Sequence, residues 1–122
     1  VIRLLADANL SRKFGRACLH LDEKFPLIHL ADWMDGKHRV SEDLVLLSVL
    51  REQGLILVSF DRRTMAARAV ELTRAGAGHA GVILFRRSVS PTDYGMQSRL
   101  LVELWREAGN EDWADRIEYL PR

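Results

Sequence analysis

The sequence predicts an α/β fold: a three-layer α/β/α sandwich around a mostly parallel sheet of four to five strands in the order 2-1-3-4-5. Three observations lead there. Unbroken apolar runs such as Leu55-Ile56-Leu57-Val58 read as strands buried on both faces, as parallel-sheet strands are. These runs alternate with stretches of helical period, the pattern of successive βαβ units. Right-handed crossovers then leave 2-1-3-4-5 as the simplest order, with strands one and three as neighbours.

Residues 2–6 are the expected first strand, ending at Asp7. Asn9 or Ser11 can cap a helix over residues 11–20, whose Phe14, Ala17, Cys18 and Leu21 fall on one face. Residues 25–31 (FPLIHLA) read as a second strand, kept short by Pro26 at its start. Residues 32–40 (DWMDGKHRV) form a polar loop of the length at which binding loops are found. Ser41 opens a helix running to Gln53, apolar almost all round and so expected to be deeply packed. Gly54 is placed to end it. Leu55–Ser59 is the third strand, and residues 62–74 the next helix. Residues 81–85 (GVILF) are a fourth strand, followed by Arg86-Arg87. Pro91 suits the first position of a helix reaching Ala108, with Leu101, Leu104, Trp105 and Ala108 as its core stripe. Residues 116–120 (RIEYL) are the fifth strand.

At 122 residues, residues 1–122 are expected to make one domain with one continuous core. A hydrophobic fraction of 48% suits a globular chain, and a net charge of +1 names no partner. Of the 18 basic residues fifteen are arginine. Arginine makes forked contacts to phosphate, although a GC-rich genome also favours it. The single cysteine, Cys18, excludes an internal disulfide and a thiolate zinc site, and reads as a small buried hydrophobe. No stretch approaches the ~20 apolar residues of a membrane span, and no signal peptide is visible. The expected location is the cytoplasm, without membrane association.

In an open α/β sheet the ligand crevice lies outside the carboxyl ends of the strands, where strand order reverses. Asp7 and Asp61 follow strands one and three, and Asp43 opens the helix that feeds strand three. Three carboxylates at one sheet edge repel each other, and a divalent cation with oxygen ligands would neutralise them. Such an ion lowers the pKa of a water and offsets charge on a phosphate. Each acid also has a purely structural use: Asp61 could cap residues 62–74, and Asp43 could complement a helix dipole.

At these residues the chain resembles the PIN-like domain superfamily, in its short bacterial branch. The resemblance lies in LLADANL at 4–10, SEDLVLLSVLREQGLILVSFDRRTM at 41–65 and GHAGVILF at 78–85, and covers most of residues 2–86. It implies a metal-dependent ribonuclease related to VapC-like toxins of toxin–antitoxin pairs. It further implies Asp7, Asp43 and Asp61 as the catalytic, Mg²⁺- or Mn²⁺-binding acids. Ser59, in the Thr-x-Asp position of that family, is the expected supporting hydroxyl, with Asn9 beside it. Implied partners are RNA, an antitoxin protein or a second copy of the chain. Two departures stand out. Arg63 occupies the place of a further family aspartate, and the family's early glutamate has no clear counterpart, with Asp32 or Asp35 the only substitutes at hand.

Arg12, Arg39, Arg62 and Arg63, with Arg86 and Arg87, follow strands or lie in loops on the presumed active side and could bind phosphates. RNA would also want an exposed aromatic, for which Trp33 is the candidate, unless it packs over the first helix. His20, His29, His38 and His79 are too scattered for a metal cluster, and His29 reads as a satisfied core residue. Two further readings compete: a catalytically degenerate module that binds RNA or protein, and a phosphorelay receiver. The receiver lacks a lysine after strand five, since none follows Lys37.

Overall fold

The computed structural model describes residues 2–38 and 41–122. Five strands form one all-parallel sheet: β1 (Arg3–Ala6), β2 (Leu27–His29), β3 (Leu55–Ser59), β4 (Val82–Phe85) and β5 (Ile117–Leu120), in the order β2-β1-β3-β4-β5. The helices are α1 (Arg12–Leu21), α2 (Asp43–Gln53), α3 (Thr64–Arg74) and α4 (Tyr94–Ala108). They flank the sheet on both sides.

The two layers of core follow from the strand pleat, which sends successive side chains to opposite faces. Leu4, Ala6, Ile56, Val58, Ile83 and Phe85 meet Phe14 and Cys18 of α1 and Leu101, Val102 and Leu104 of α4. Leu5, Leu55, Leu57, Val82 and Leu84 meet Leu46, Leu47 and Leu50 of α2 and Met65, Ala69 and Leu72 of α3. Every residue of β3 is buried, which is why its sequence runs apolar without alternation. Phe14 sets its ring edge-on to Phe85 at 5.9 Å, joining α1 to β4.

The helix ends show where local chemistry governs. Ser11, not Asn9, caps α1, its side chain accepting from the Lys13 N–H at 3.1 Å. Gly54 ends α2 with φ of +67°, the left-handed conformation that a Cβ disfavours. Pro91 does not open α4. It lies in a turn knit by Ser90 and Thr92, and Asp93 caps the helix by accepting from the Met96 N–H at 3.0 Å.

Several packing expectations are corrected. On α2 only Leu46, Leu47 and Leu50 are buried, while Val45 is exposed, because the sheet covers one side of the helix. Leu21, the last residue of α1, is exposed, and the buried face of this helix is made by Phe14 and Cys18. Trp105 is half-buried, edge-on to Phe25 at 5.2 Å. Trp33 is buried, not an exposed stacking platform. It joins the α2–α3 side of the core with Leu5 and Leu47, on the face opposite α1.

Candidate functional site: an acidic crevice between β1 and β3

Strand order reverses between β1 and β3, and the parallel ladder puts both their carboxyl ends at one edge. The chain leaving β1 stays paired for one residue more, the Asp7 N–H donating to the Val58 carbonyl at 2.9 Å. Asp7 and Ser59 are therefore brought side by side. The Ser59 hydroxyl donates to Asp7 Oδ2 at 2.8 Å, and Ser59 Oγ accepts from the Asp61 N–H at 3.0 Å. Asn9 adds a second tie. Its Nδ2 donates to Ser59 Oγ at 3.1 Å, and its Oδ1 accepts from the Phe60 N–H at 3.1 Å. Asp7 Oδ1 accepts from the Ala8 N–H at 2.8 Å. Ser59 is wholly buried, so this network has a fixed floor.

Asp61 holds the start of α3, its Oδ1 accepting from the Thr64 N–H at 3.0 Å. The capping role open to it from sequence is thus real and occupies one carboxylate oxygen. Asp43 begins α2, whose first turn lies at the same sheet edge before the helix runs back to the amino end of β3. Burial raises its carboxyl above the ordinary range, and the charges of Asp61 and Asp7 raise it further, with Arg68 acting in the opposite sense. Asp43 thus lies within the field of both other acids. Yet among the described residues no three His, Cys, Asp or Glu side chains stand close enough to enclose an ion together. The two observations are compatible: the acids share a neighbourhood, not a closed cage. Their all-oxygen donor chemistry, with Ser59 and Asn9, fits a hard divalent cation held by one or two carboxylates and completed by water.

The basic residues are distributed differently from the sequence expectation. Arg12 is ion-paired with Asp32, whose carboxyl is held below the usual range by that hydrogen bond. Asp32, one stand-in for the missing glutamate, is therefore engaged outside the acidic crevice. Asp35 lies in the single 3₁₀ turn Trp33–Gly36 with φ of +56°. Arg62 turns inward and donates to the Phe85 carbonyl at 3.0 Å, so it serves the end of β4 rather than a phosphate. Arg86 donates through Nε to the Pro121 carbonyl at 2.6 Å and lies over the Tyr119 ring. Arg63 and Arg87 are exposed, and Arg39 lies outside the described residues.

A cavity of about 530 Å³ opens beside Asp43, lined also by Glu42, Leu44, Thr64 and Arg68. Arg68 and Thr64 were not singled out in the sequence. The signal was available, since they stand four residues apart on α3 and so share a face. Arg68 pairs with Glu71 at 3.1 Å, both side chains being about half exposed. Elsewhere, His29 has both ring nitrogens satisfied as expected, bonding the Leu10 carbonyl at 2.7 Å and the Ala31 N–H at 3.1 Å, but it is only part-buried on the edge strand β2 rather than in the core. Cys18 is buried, with its thiol pushed up to about 12 by desolvation, and is therefore unreactive at neutral pH.

The fold and the crevice together define a doubly wound α/β domain with an acidic switch point. No protein-family model matches the chain, and neither a curated protein nor a solved structure matches it. Among the described residues no helix is long and apolar enough to cross a membrane.

Proposed function

We propose that the chain is a divalent-cation-dependent ribonuclease of the PIN-like kind, using Mg²⁺ or Mn²⁺ to hydrolyse RNA phosphodiesters. One observation carries the reading. The Ser59 hydroxyl bonds the Asp7 carboxylate and the Asp61 backbone at once, so one buried side chain orients the Asp7 acid and fixes the main chain from which Asp61 projects. A strand-end aspartate serving only as a helix cap needs no such link. The Asp43 carboxyl is raised first by burial and then by the charges of Asp61 and Asp7, and the second cause supports the same reading, because repulsion between acids is what a cation would relieve.

One or two of Asp7, Asp43 and Asp61 would hold the ion, with water completing its shell and Ser59 and Asn9 fixing the orientation of Asp7. The chemistry such an ion supplies is a lowered pKa for water and compensation of charge on the phosphate. Arg68, beside Asp43, is placed to attract the RNA backbone into the cavity. Arg63, exposed at the start of α3, adds positive charge on the same side. A toxin role, with an antitoxin protein covering the basic rim, is part of the proposal, as is self-association into a homodimer.

A second reading, a catalytically degenerate module that binds RNA or a protein, is favoured by Arg63 in place of an acid and by the open spacing of the carboxylates. An RNase assay with and without EDTA separates the two. Activity that EDTA abolishes and that Asp7→Asn lowers at least about a hundredfold is expected of the nuclease, the scale set by losing one well-placed electrostatic group. Activity indifferent to EDTA, or none in the wild type, overturns the metal-dependent nuclease, and only the absence of activity is what the binding module predicts.

A further inference from the structure

A second cavity, of about 220 Å³, lies between α1 and β2. Its floor is apolar, made by Ala6, Gly15 and Leu27. Ala6 and His29 lie at the carboxyl ends of β1 and β2, so the cavity reaches the sheet edge at which Asp7 follows β1, on the face covered by α1. Its rim is polar, with Arg12, Arg16 and Asp32. We infer that this cavity is a guanine-base subsite, in which the Asp32 carboxylate meets N1–H and the 2-amino group while a neighbouring guanidinium meets O6 and N7.

Gly15 is the first support. It stands in the middle of α1, where glycine is unfavourable relative to alanine. Its conformation there is helical, so no turn demands it. What its missing side chain leaves is room: a Cβ at this position would already stand 3.8 Å from Leu27 Cδ2, and a longer side chain would fill the floor.

The polar rim gives the second support. Arg12 and Asp32 are ion-paired, with side-chain exposures of 53% and 55%. Ion pairs this open to water are weakly held and readily exchange partners. Side by side they present a donor and an acceptor, and guanine presents the complementary acceptors, O6 and N7, on its Hoogsteen edge and the donors, N1–H and the 2-amino group, on the adjoining Watson–Crick edge. Guanidinium to O6 and N7 is a geometry that arginine forms readily. Adenine offers a carboxylate only one amino group, and uracil only one N–H. A phosphate would be repelled by Asp32. Arg16 is exposed and has no carboxylate partner among the described residues, so it can meet the base while Arg12 stays near Asp32. The His29 ring has both nitrogens committed, to the Leu10 carbonyl and the Ala31 N–H, and forms a fixed wall rather than a ligand.

The inference rests on the nuclease reading only for the RNA to which the base would belong. The direct test needs no cation. The protein in EDTA is titrated with GMP, AMP, CMP and UMP, and amide shifts of Ser11, Gly15 and Arg16 are followed by ¹⁵N NMR. GMP is expected to saturate these shifts at concentrations about tenfold below the others, the lower part of the range for one bidentate base contact. Asp32→Asn should remove that preference, and Gly15→Leu should remove binding, each with an otherwise wild-type spectrum. Equal response to all four nucleotides, no response to any, or a GMP preference that survives Asp32→Asn overturns the assignment. Failure here leaves the EDTA-sensitive nuclease assay untouched, and failure of that assay leaves GMP binding to be read on its own.

Discussion

The Ser59 hydroxyl donates to Asp7 Oδ2 across 2.8 Å, joining residues 52 positions apart in the chain. The bond spans the junction of β1 and β3, the two strands between which the crossover direction changes. It makes the orientation of one carboxylate a property of the sheet rather than of a loop.

Ser59→Ala is therefore expected to cost about 1–3 kcal/mol, the scale of leaving buried polar partners unmatched. Asp7 would lose its hydroxyl donor, and the Asp61 N–H would lose its acceptor. Urea unfolding followed by circular dichroism measures this. A midpoint equal to that of the wild type would show that the network is not holding the crevice. In the nuclease assay the same variant should lose activity while retaining native circular dichroism.

Removal of one charge from the crevice should have opposite effects with and without cation. The Asp43 carboxyl is raised by burial and by Asp61 and Asp7, so its anion destabilises the folded state at neutral pH. Asp43→Asn should melt at a higher temperature than the wild type in EDTA. On adding Mn²⁺ the wild type should gain melting temperature and the variant should gain less, because only a bound ion rewards the native charge. Parallel gains in both proteins would remove Asp43 from the ion site.

His79 gives stability a pH dependence of definite sign. It is buried, its Nδ1 accepts from the Gly81 N–H at 3.1 Å, and burial lowers its pKa while Asp115 opposes the shift. Below the ordinary histidine pKa of about 6.5 the unfolded chain takes up a proton that the folded chain resists. Its contribution is thus fully present above that value and is lost as pH falls toward the lowered folded-state pKa. His79→Asn keeps an acceptor near Gly81 and removes the titration. Its unfolding free energy should fall less between pH 7.5 and pH 5 than that of the wild type. Equal slopes in the two proteins would assign the dependence to other groups.

Much of this was legible beforehand, for reasons that differ by element. Leu55–Ser59 matched its strand at both ends because a run buried on both faces has no polar position to blur it. Gly54 was readable as a helix end because its left-handed backbone is a local requirement. Pro91 misled because a proline fits a turn as well as a helix start, and Asp93 supplied the stronger cap. The aromatic in the loop after β2 misled for another reason. Nothing in the residues around Trp33 says which face of the sheet it reaches, and it reached the one lined by Leu5 and Leu47.

Local pattern settled the order of helices and strands, because hydrophobic period, caps and turn residues act within a few positions of the chain. That order, with the handedness of crossovers, was enough to place Asp7 and Asp61 at one edge of the sheet. Which partners each side chain took was decided by packing between distant segments. Arg62 turned to the Phe85 carbonyl, Arg12 to Asp32, and Ser59 to Asp7. Those choices depend on distances of a few ångströms across strands and loops, and such distances exist only once the sheet has closed.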